Sequence, residues 1–248
     1  FHMRSLPGYR RALKESIFMN EIRVTGDGST TLFSRSFCEH YHSIFGAVTE
    51  SKTVFIENGL HYLRKDPVTV FEVGFGTGLN AYLTCLDARQ NSRTVIYYAI
   101  EKFPPENQVL SSLNYPGLLA RDDSEKKIFA LLHETDRGKP VAVTPWFSLY
   151  KINADMVSFD PDFYYDVIYF DAFAPDRQPE MWTADIFRRL YNRLSPGGIL
   201  ITYCVKGKVK RILKEIGFRI EKLPGPPGKR EMLRAMKTDI NDKYLKTI

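Results

Sequence analysis

The stretch Val68-Thr69-Val70-Phe71-Glu72-Val73-Gly74-Phe75-Gly76-Thr77-Gly78-Leu79-Asn80 decides how the rest of the chain reads. A β-branched run breaks at three glycines and resumes with helix formers, which predicts a strand, a tight turn and a helix. Glycines at alternate positions let the backbone approach a ligand that any Cβ would push away. The helix that follows offers unpaired N–H groups and the positive end of its dipole. A nucleotide-bearing cofactor is the expected guest. The spacing is G-x-G-x-G with Asn80 next, so the dinucleotide pattern G-x-G-x-x-G fails at its third glycine. Glu72, just before the loop, adds a negative charge that suits the amino group of a methionyl moiety, as in S-adenosylmethionine, better than a pyrophosphate. A glycine-rich turn that only packs a helix on a strand is the plain alternative.

Outward from this loop, strand and helix patterns alternate as in a doubly wound sheet. Candidate strands are Val68 to Val73, Thr94 to Glu101, Ser148 to Asn153, Asp166 to Asp171, Gly198 to Cys204, Phe218 to Leu223 and Glu231 to Lys237. The last two flank Pro224-Gly225-Pro226-Pro227-Gly228 with no helix between them, which predicts an antiparallel pair at one sheet edge. Candidate helices run from Leu79 to Arg89, Thr183 to Leu194 and Lys208 to Ile216, the second closing at Ser195-Pro196-Gly197-Gly198. An insertion between the second and third strands, residues 103–144, carries a helical pattern around Lys126 to His133. Seven strands ending in such a pair resemble the class I Rossmann-like methyltransferase fold, an α/β fold with a mostly parallel sheet. The division expected is an N-terminal extension, 1–66, lying on the ligand edge, and a catalytic domain, 67–248. Gly26-Asp27-Gly28-Ser29 marks a turn between two short strands in the extension. Phe1 and His2 read as residues preceding a native start at Met3.

The 248 residues are 44% hydrophobic, ordinary for a globular protein. No run approaches the apolar length of a membrane span and the start lacks a signal peptide's apolar stretch, so a cytoplasmic protein without membrane attachment is expected. Cys38, Cys85 and Cys204 are scattered and odd in number, which predicts free thiols. The five histidines form no metal motif, and no metal is expected. A net charge of +6 fits a polyanionic partner and equally a solvated basic surface.

Ligands of an open parallel sheet gather at the carboxyl ends of its strands, and acidic residues there are the candidates. Glu101 ends the second strand, 23 positions beyond Gly78, where a carboxylate can accept both ribose hydroxyls. Asp155 follows the third, placed for an adenine amino group. Asp171 ends the fourth in Tyr169-Phe170-Asp171-Ala172-Phe173-Ala174-Pro175, where it can hold an acceptor amine while Phe173 stacks on a base and Pro175 fixes the turn. As a carboxylate of ordinary pKa it is a weak base, so the expected role is to orient the amine and stabilise the developing ammonium.

These residues resemble the tRNA 5-methylaminomethyl-2-thiouridine methyltransferase family, known as the methyltransferase half of bifunctional MnmC and as stand-alone MnmD. The resemblance is carried by Phe71 to Asn80, by Glu101-Lys102-Phe103-Pro104, and by Asp171 to Pro175 with Pro179-Glu180-Met181-Trp182-Thr183. Gly228-Lys229-Arg230-Glu231-Met232-Leu233 and an upstream block from Tyr41-His42-Ser43 through Gly46 to Glu50 complete it. It implies methyl transfer from S-adenosylmethionine to the aminomethyl nitrogen of a modified wobble uridine in tRNA. Cofactor contacts are then Glu50, Glu72, Gly74, Gly76, Gly78, Asn80, Glu101, Lys102, Asp155 and Asp171. Substrate contacts are Phe173, Pro175, Arg177, Trp182, Lys206, Lys229 and Arg230. The bifunctional members carry a flavin-dependent domain after this one, so no FAD is expected, and a separate enzyme supplies the aminomethyl uridine. An aminopropyltransferase resembling spermidine synthase and a non-catalytic RNA-binding module are the competing readings.

Overall fold

The computed structural model describes residues 20–238; Phe1, His2 and the expected start at Met3 lie outside them. An antiparallel sheet opens the described chain: β1 (Glu21–Val24), β2 (Thr30–Ser34) and β3 (Glu39–His40), with Gly28 at φ +80° in the expected turn. Helix α1 (Ala47–Ser51) follows and widens into a π turn over Lys52–Glu57. The main sheet then forms from β4 (Val68–Val73), β5 (Val95–Ile100), β6 (Pro140–Thr144), β7 (Phe147–Ile152), β8 (Tyr165–Phe170), β9 (Leu194–Thr202), β10 (Phe218–Pro224) and β11 (Glu231–Lys237).

Its order is β10-β11-β9-β8-β4-β5-β7-β6, with β9, β8, β4, β5 and β7 parallel. After β4 the chain builds outward through β5 and β7, then returns to β4's other side as β8. The switch point therefore falls between β4 and β8, where a crevice opens at the strand ends. β11 inserts antiparallel between β9 and β10, so the expected C-terminal pair is present. The sheet has eight strands rather than seven. The addition is β6, a short run at the end of the insertion that pairs antiparallel with β7 through the turn at Pro145-Trp146. Its proline is exposed, its valines are half-exposed and none of its residues is buried, so no apolar run marks it in the sequence.

Helices cover both faces: α2 (Leu79–Asn91), α3 (Asn107–Leu110), α4 (Tyr115–Leu119) and α5 (Asp123–Glu134) in the first half, α6 (Ala184–Arg193) and α7 (Gly207–Ile216) in the second. One face of β4 sends Val68, Val70 and Glu72 towards α2, where Tyr97, Tyr169 and Phe55 fill the layer. The other sends Phe71 and Val73 towards the layer of α6 and α7, built on Phe170, Phe187 and Leu213. Such fully buried aromatic side chains each contribute about 3–5 kcal/mol against truncation to alanine. Asp122 caps α5 by accepting from the Glu125 N–H at 2.8 Å, and Thr183 caps α6. Among the described residues no helix is long and apolar enough to cross a membrane.

Candidate active site

The glycine turn leaves β4 with Gly74, Gly76 and Gly78 at φ +93°, +50° and +75°. A Cβ on Gly74 would lie 2.9 Å from the Asp171 carbonyl oxygen, and one on Gly76 would lie 3.1 Å from the Tyr41 ring. The turn thus needs glycine for its conformation and for its neighbours. Below it opens a cavity of about 340 Å³ lined by this turn, by the ends of β5 and β8, and by the segment from Phe37 to Phe45 of the extension. That size suits a small-molecule cofactor site. Gly78 does not line it: a Cβ there would meet His133 at 2.9 Å, so this third glycine serves the packing of α2 on α5.

Asp171 sits half-buried at the cavity floor, its Oδ2 accepting from Asn80 Nδ2 at 2.8 Å. Burial pushes its pKa up to about 7; the Glu50 carboxylate adds to this, while Asn80 and Lys229 oppose it. An aspartate at about 7 accepts a proton near neutrality far better than an ordinary one, which corrects the expectation of a weak base. The second Asn80 N–H reaches Glu72 Oε1 at 3.0 Å. Glu72 is fully buried and does not line the cavity, so it is placed behind Asn80 rather than against a ligand.

The other strand-end acids do face the cavity. Glu101 accepts from the Gly76 N–H at 3.0 Å and the Phe103 N–H at 2.8 Å, which ties the turn to β5. Asp155 pairs with Lys102 at 2.6 Å and accepts from the Val157 N–H, and that lysine holds its carboxyl below the usual range. Glu50, buried in α1, pairs with Lys229 from the β10–β11 connection and accepts from the Ser43 N–H at 2.7 Å. The Lys229 ammonium also lies 3.9 Å from the centre of the Tyr203 ring. Lys229, expected as a substrate contact, therefore forms a wall of the cavity that also borders the open cleft beside it.

Several expected substrate contacts are elsewhere. Trp182 is buried against Phe170 and donates from Nε1 to the Phe173 carbonyl at 2.8 Å, so it supports the Asp171 loop from beneath. Phe173 lines the cavity but already stacks on Phe37, with centroids 4.5 Å apart, and meets Tyr41 edge-on. Arg177 is exposed and lines neither this cavity nor its neighbour. Pro175, Lys206 and Arg230 line an adjoining open cleft that shares Tyr203 and Lys229 with the cavity. Lys206 is engaged by Asp176.

Sequence reasoning assigns no role to Tyr41, His42, Phe45 or Tyr203, all of which line the cavity. Tyr203 falls near the end of a predicted strand, a signal available in the pattern. The others come from the extension, whose seat on the sheet is long-range. His42, with Nδ1 3.0 Å from Thr31 Oγ1 and Nε2 3.4 Å from Thr77 Oγ1, is held neutral by burial at a pKa of about 4. It is no base for the cavity. Among the described residues no cluster of His, Cys, Asp and Glu could hold a metal ion.

The chain is similar to known proteins in architecture and in sequence. Residues 146–238 match the S-adenosyl-L-methionine-dependent methyltransferase family. The chain is 29% identical to the tRNA 5-methylaminomethyl-2-thiouridine biosynthesis bifunctional protein MnmC of Pseudoalteromonas atlantica over 89% of its length, and 32% identical to that of Cupriavidus necator over 81%. It spans about a third of those relatives, 34% and 32% respectively. The crystal structure of MnmC2 from Aquifex aeolicus shares the fold with a TM-score of 0.70 and 20% identity, over 98% of this chain and 83% of that one.

Proposed function

We infer that this chain is an S-adenosyl-L-methionine-dependent methyltransferase related to MnmC, a reading supported by its sequence likeness and by Asp171 at the floor of its cavity. The protein transfers a methyl group from S-adenosylmethionine to the aminomethyl nitrogen of 5-aminomethyl-(2-thio)uridine at the tRNA wobble position. The observation that carries this reading is a half-buried carboxyl with a pKa of about 7, held by Asn80 beside a glycine turn too close for side chains.

When bound, S-adenosylmethionine supplies an electrophilic methyl group. Gly74 and Gly76 let the backbone close on it, Glu101 is placed for ribose hydroxyls, and Asp155 with Lys102 closes the adenine end. Asp171 accepts a hydrogen bond from the substrate amine, which must be neutral to present its lone pair although such amines have pKa values around 10. Asp171 orients the amine and takes the proton it releases. Placing the two reactants side by side supplies much of the remaining acceleration. Pro175, Lys206 and Arg230 in the adjoining cleft offer apolar and cationic contacts to the flanking RNA, while Lys229 and Tyr203 form the shared wall.

The test is methyl transfer from labelled S-adenosylmethionine to tRNA bearing an aminomethyl wobble uridine, followed by nucleoside analysis. Label in the methylaminomethyl nucleoside supports the reading. Label elsewhere in the tRNA, or aminopropyl transfer to free putrescine from the decarboxylated donor, refutes it.

A further inference from the structure

Glu72 occupies the position where a carboxylate is expected to meet the cofactor's amino group, yet its side chain has no exposed surface. It projects from the middle strand of the sheet between Ala99 of β5 and Tyr169 of β8, beneath α2. The groups around it are Asn80, Tyr97, Tyr169, Asp171 and Glu101; no lysine or arginine pairs with it among the described residues. Its Oε1 accepts from Asn80 Nδ2 at 3.0 Å, whereas Oε2 is buried without a partner. The neighbouring Asn80 Oδ1 is buried and unpartnered as well, and the Tyr97 hydroxyl stands against the Glu72 carboxyl.

An anion in this place would lie in low dielectric beside another carboxyl with no counter-charge, at a cost of several kcal/mol. A proton on Glu72 removes that cost, and the neutral acid carries a donor that the anion lacks, among neighbours that include the unpartnered Asn80 Oδ1. Asn80 links this carboxyl to the reacting one, since one N–H goes to Glu72 and the other to Asp171 at 2.8 Å. The amide cannot turn without losing both.

We propose that Glu72 works as a neutral carboxylic acid that positions Asn80, and through it Asp171, and makes no contact of its own with the methyl donor. It is a positioning residue of the methyl transfer proposed above, and its kinetic test rests on that reading. Burial, reinforced by the Asp171 carboxylate, raises its pKa well above the ordinary range, in accord with the geometry.

Three measurements test this. In infrared spectra of the purified protein at pH 9, where Asp171 is ionised, a protonated-carboxyl C=O band is expected and should vanish in Glu72→Gln. No such band, or one that survives the substitution, overturns the proposal. Calorimetry of S-adenosylmethionine binding to Glu72→Gln should give a Kd within about twofold of the native protein; a loss of about tenfold or more, as expected for a lost ion pair to the ligand, overturns it. Glu72→Leu removes the acceptor on which Asn80 is fixed. It should lower kcat by about tenfold or more while the cofactor Kd stays within about threefold. An unchanged kcat, or equal losses in both, overturns the positioning role. The infrared and binding readouts need no tRNA, so failure of the tRNA assignment alone would leave them intact.

Discussion

Replacing Asp171 by asparagine separates the two roles proposed for the native carboxyl. The amide oxygen can still accept from Asn80 Nδ2, which lies at 2.8 Å in the native protein, and from the substrate amine, but it takes no proton. If orientation were the whole contribution, turnover would change by less than about tenfold. A general base supplies about 10²–10⁴ in rate, or about 3–5 kcal/mol of barrier at 1.36 kcal/mol per tenfold. The expected result is a kcat loss in that range with S-adenosylmethionine affinity within about threefold. On the proposed mechanism the ionised carboxyl is the active form, so kcat should rise with pH through about 7 and then level off. That limb should be absent from the variant. Stability should move the opposite way. Because the folded-state pKa lies above the ordinary 3.8, the group's contribution is complete below 3.8 and is lost as pH climbs through about 7. A tenfold change in proton affinity is about 1.4 kcal/mol, and solvent at this half-buried group screens the total to about 1–2 kcal/mol. The variant should therefore melt about 2–6 °C higher than the native protein at pH 8. Single-turnover transfer of labelled methyl, calorimetry and thermal melts measure all three quantities. A kcat within about threefold of native, or a pH limb that persists, would refute the assignment of the proton to Asp171.

Gly74→Ala would force a Cβ to within 2.9 Å of the Asp171 carbonyl at φ +93°, and should cost about 1–3 kcal/mol of stability and at least tenfold in cofactor affinity by calorimetry. Lys229→Met leaves the buried Glu50 carboxylate unpaired, which should destabilise the fold by about 3 kcal/mol in denaturant titration. It should also move the acidic limb of the kcat profile upward, because Lys229 lowers the pKa of Asp171. Arg230→Glu should raise KM for tRNA and flatten its logarithmic salt dependence by about one for each phosphate no longer neutralised, with methyl-donor binding unchanged. Trp182→Phe keeps most of the buried ring but drops the bond to the Phe173 carbonyl, and should cost about 1 kcal/mol in stability.

The parallel core is legible because buried strands such as Val68–Val73 and Tyr165–Phe170 are largely apolar runs punctuated by glycine, proline or an acid. The acids after the strand ends follow from the sheet alone, and Glu101, Asp155 and Asp171 do line one cavity. What pattern does not convey is depth. Glu72 lies level with Tyr169 and Asp171 follows that tyrosine by two, so both carboxyls share one face, yet the first is covered by α2 and the second, past the strand end, faces the cavity. Trp182 shows the same limit, since an aromatic beside a functional loop can as readily hold it from below as meet a ligand. Charge alone makes Lys229 a phosphate contact, whereas its actual place depends on Glu50, a partner 179 positions earlier in the chain.

The insertion of β11 between β9 and β10 has a consequence for the order in which the protein becomes an enzyme during its synthesis. Until residues 231–237 emerge, β9 is an open edge that can pair with other chains, and Glu50 lacks the lysine that neutralises it until shortly before then. The cofactor turn and Asp171 are made much earlier than the wall that encloses them. A ribosome-bound intermediate thus holds the glycine turn and its acids in an open trough, and the chamber is complete only when β11 slots into the gap.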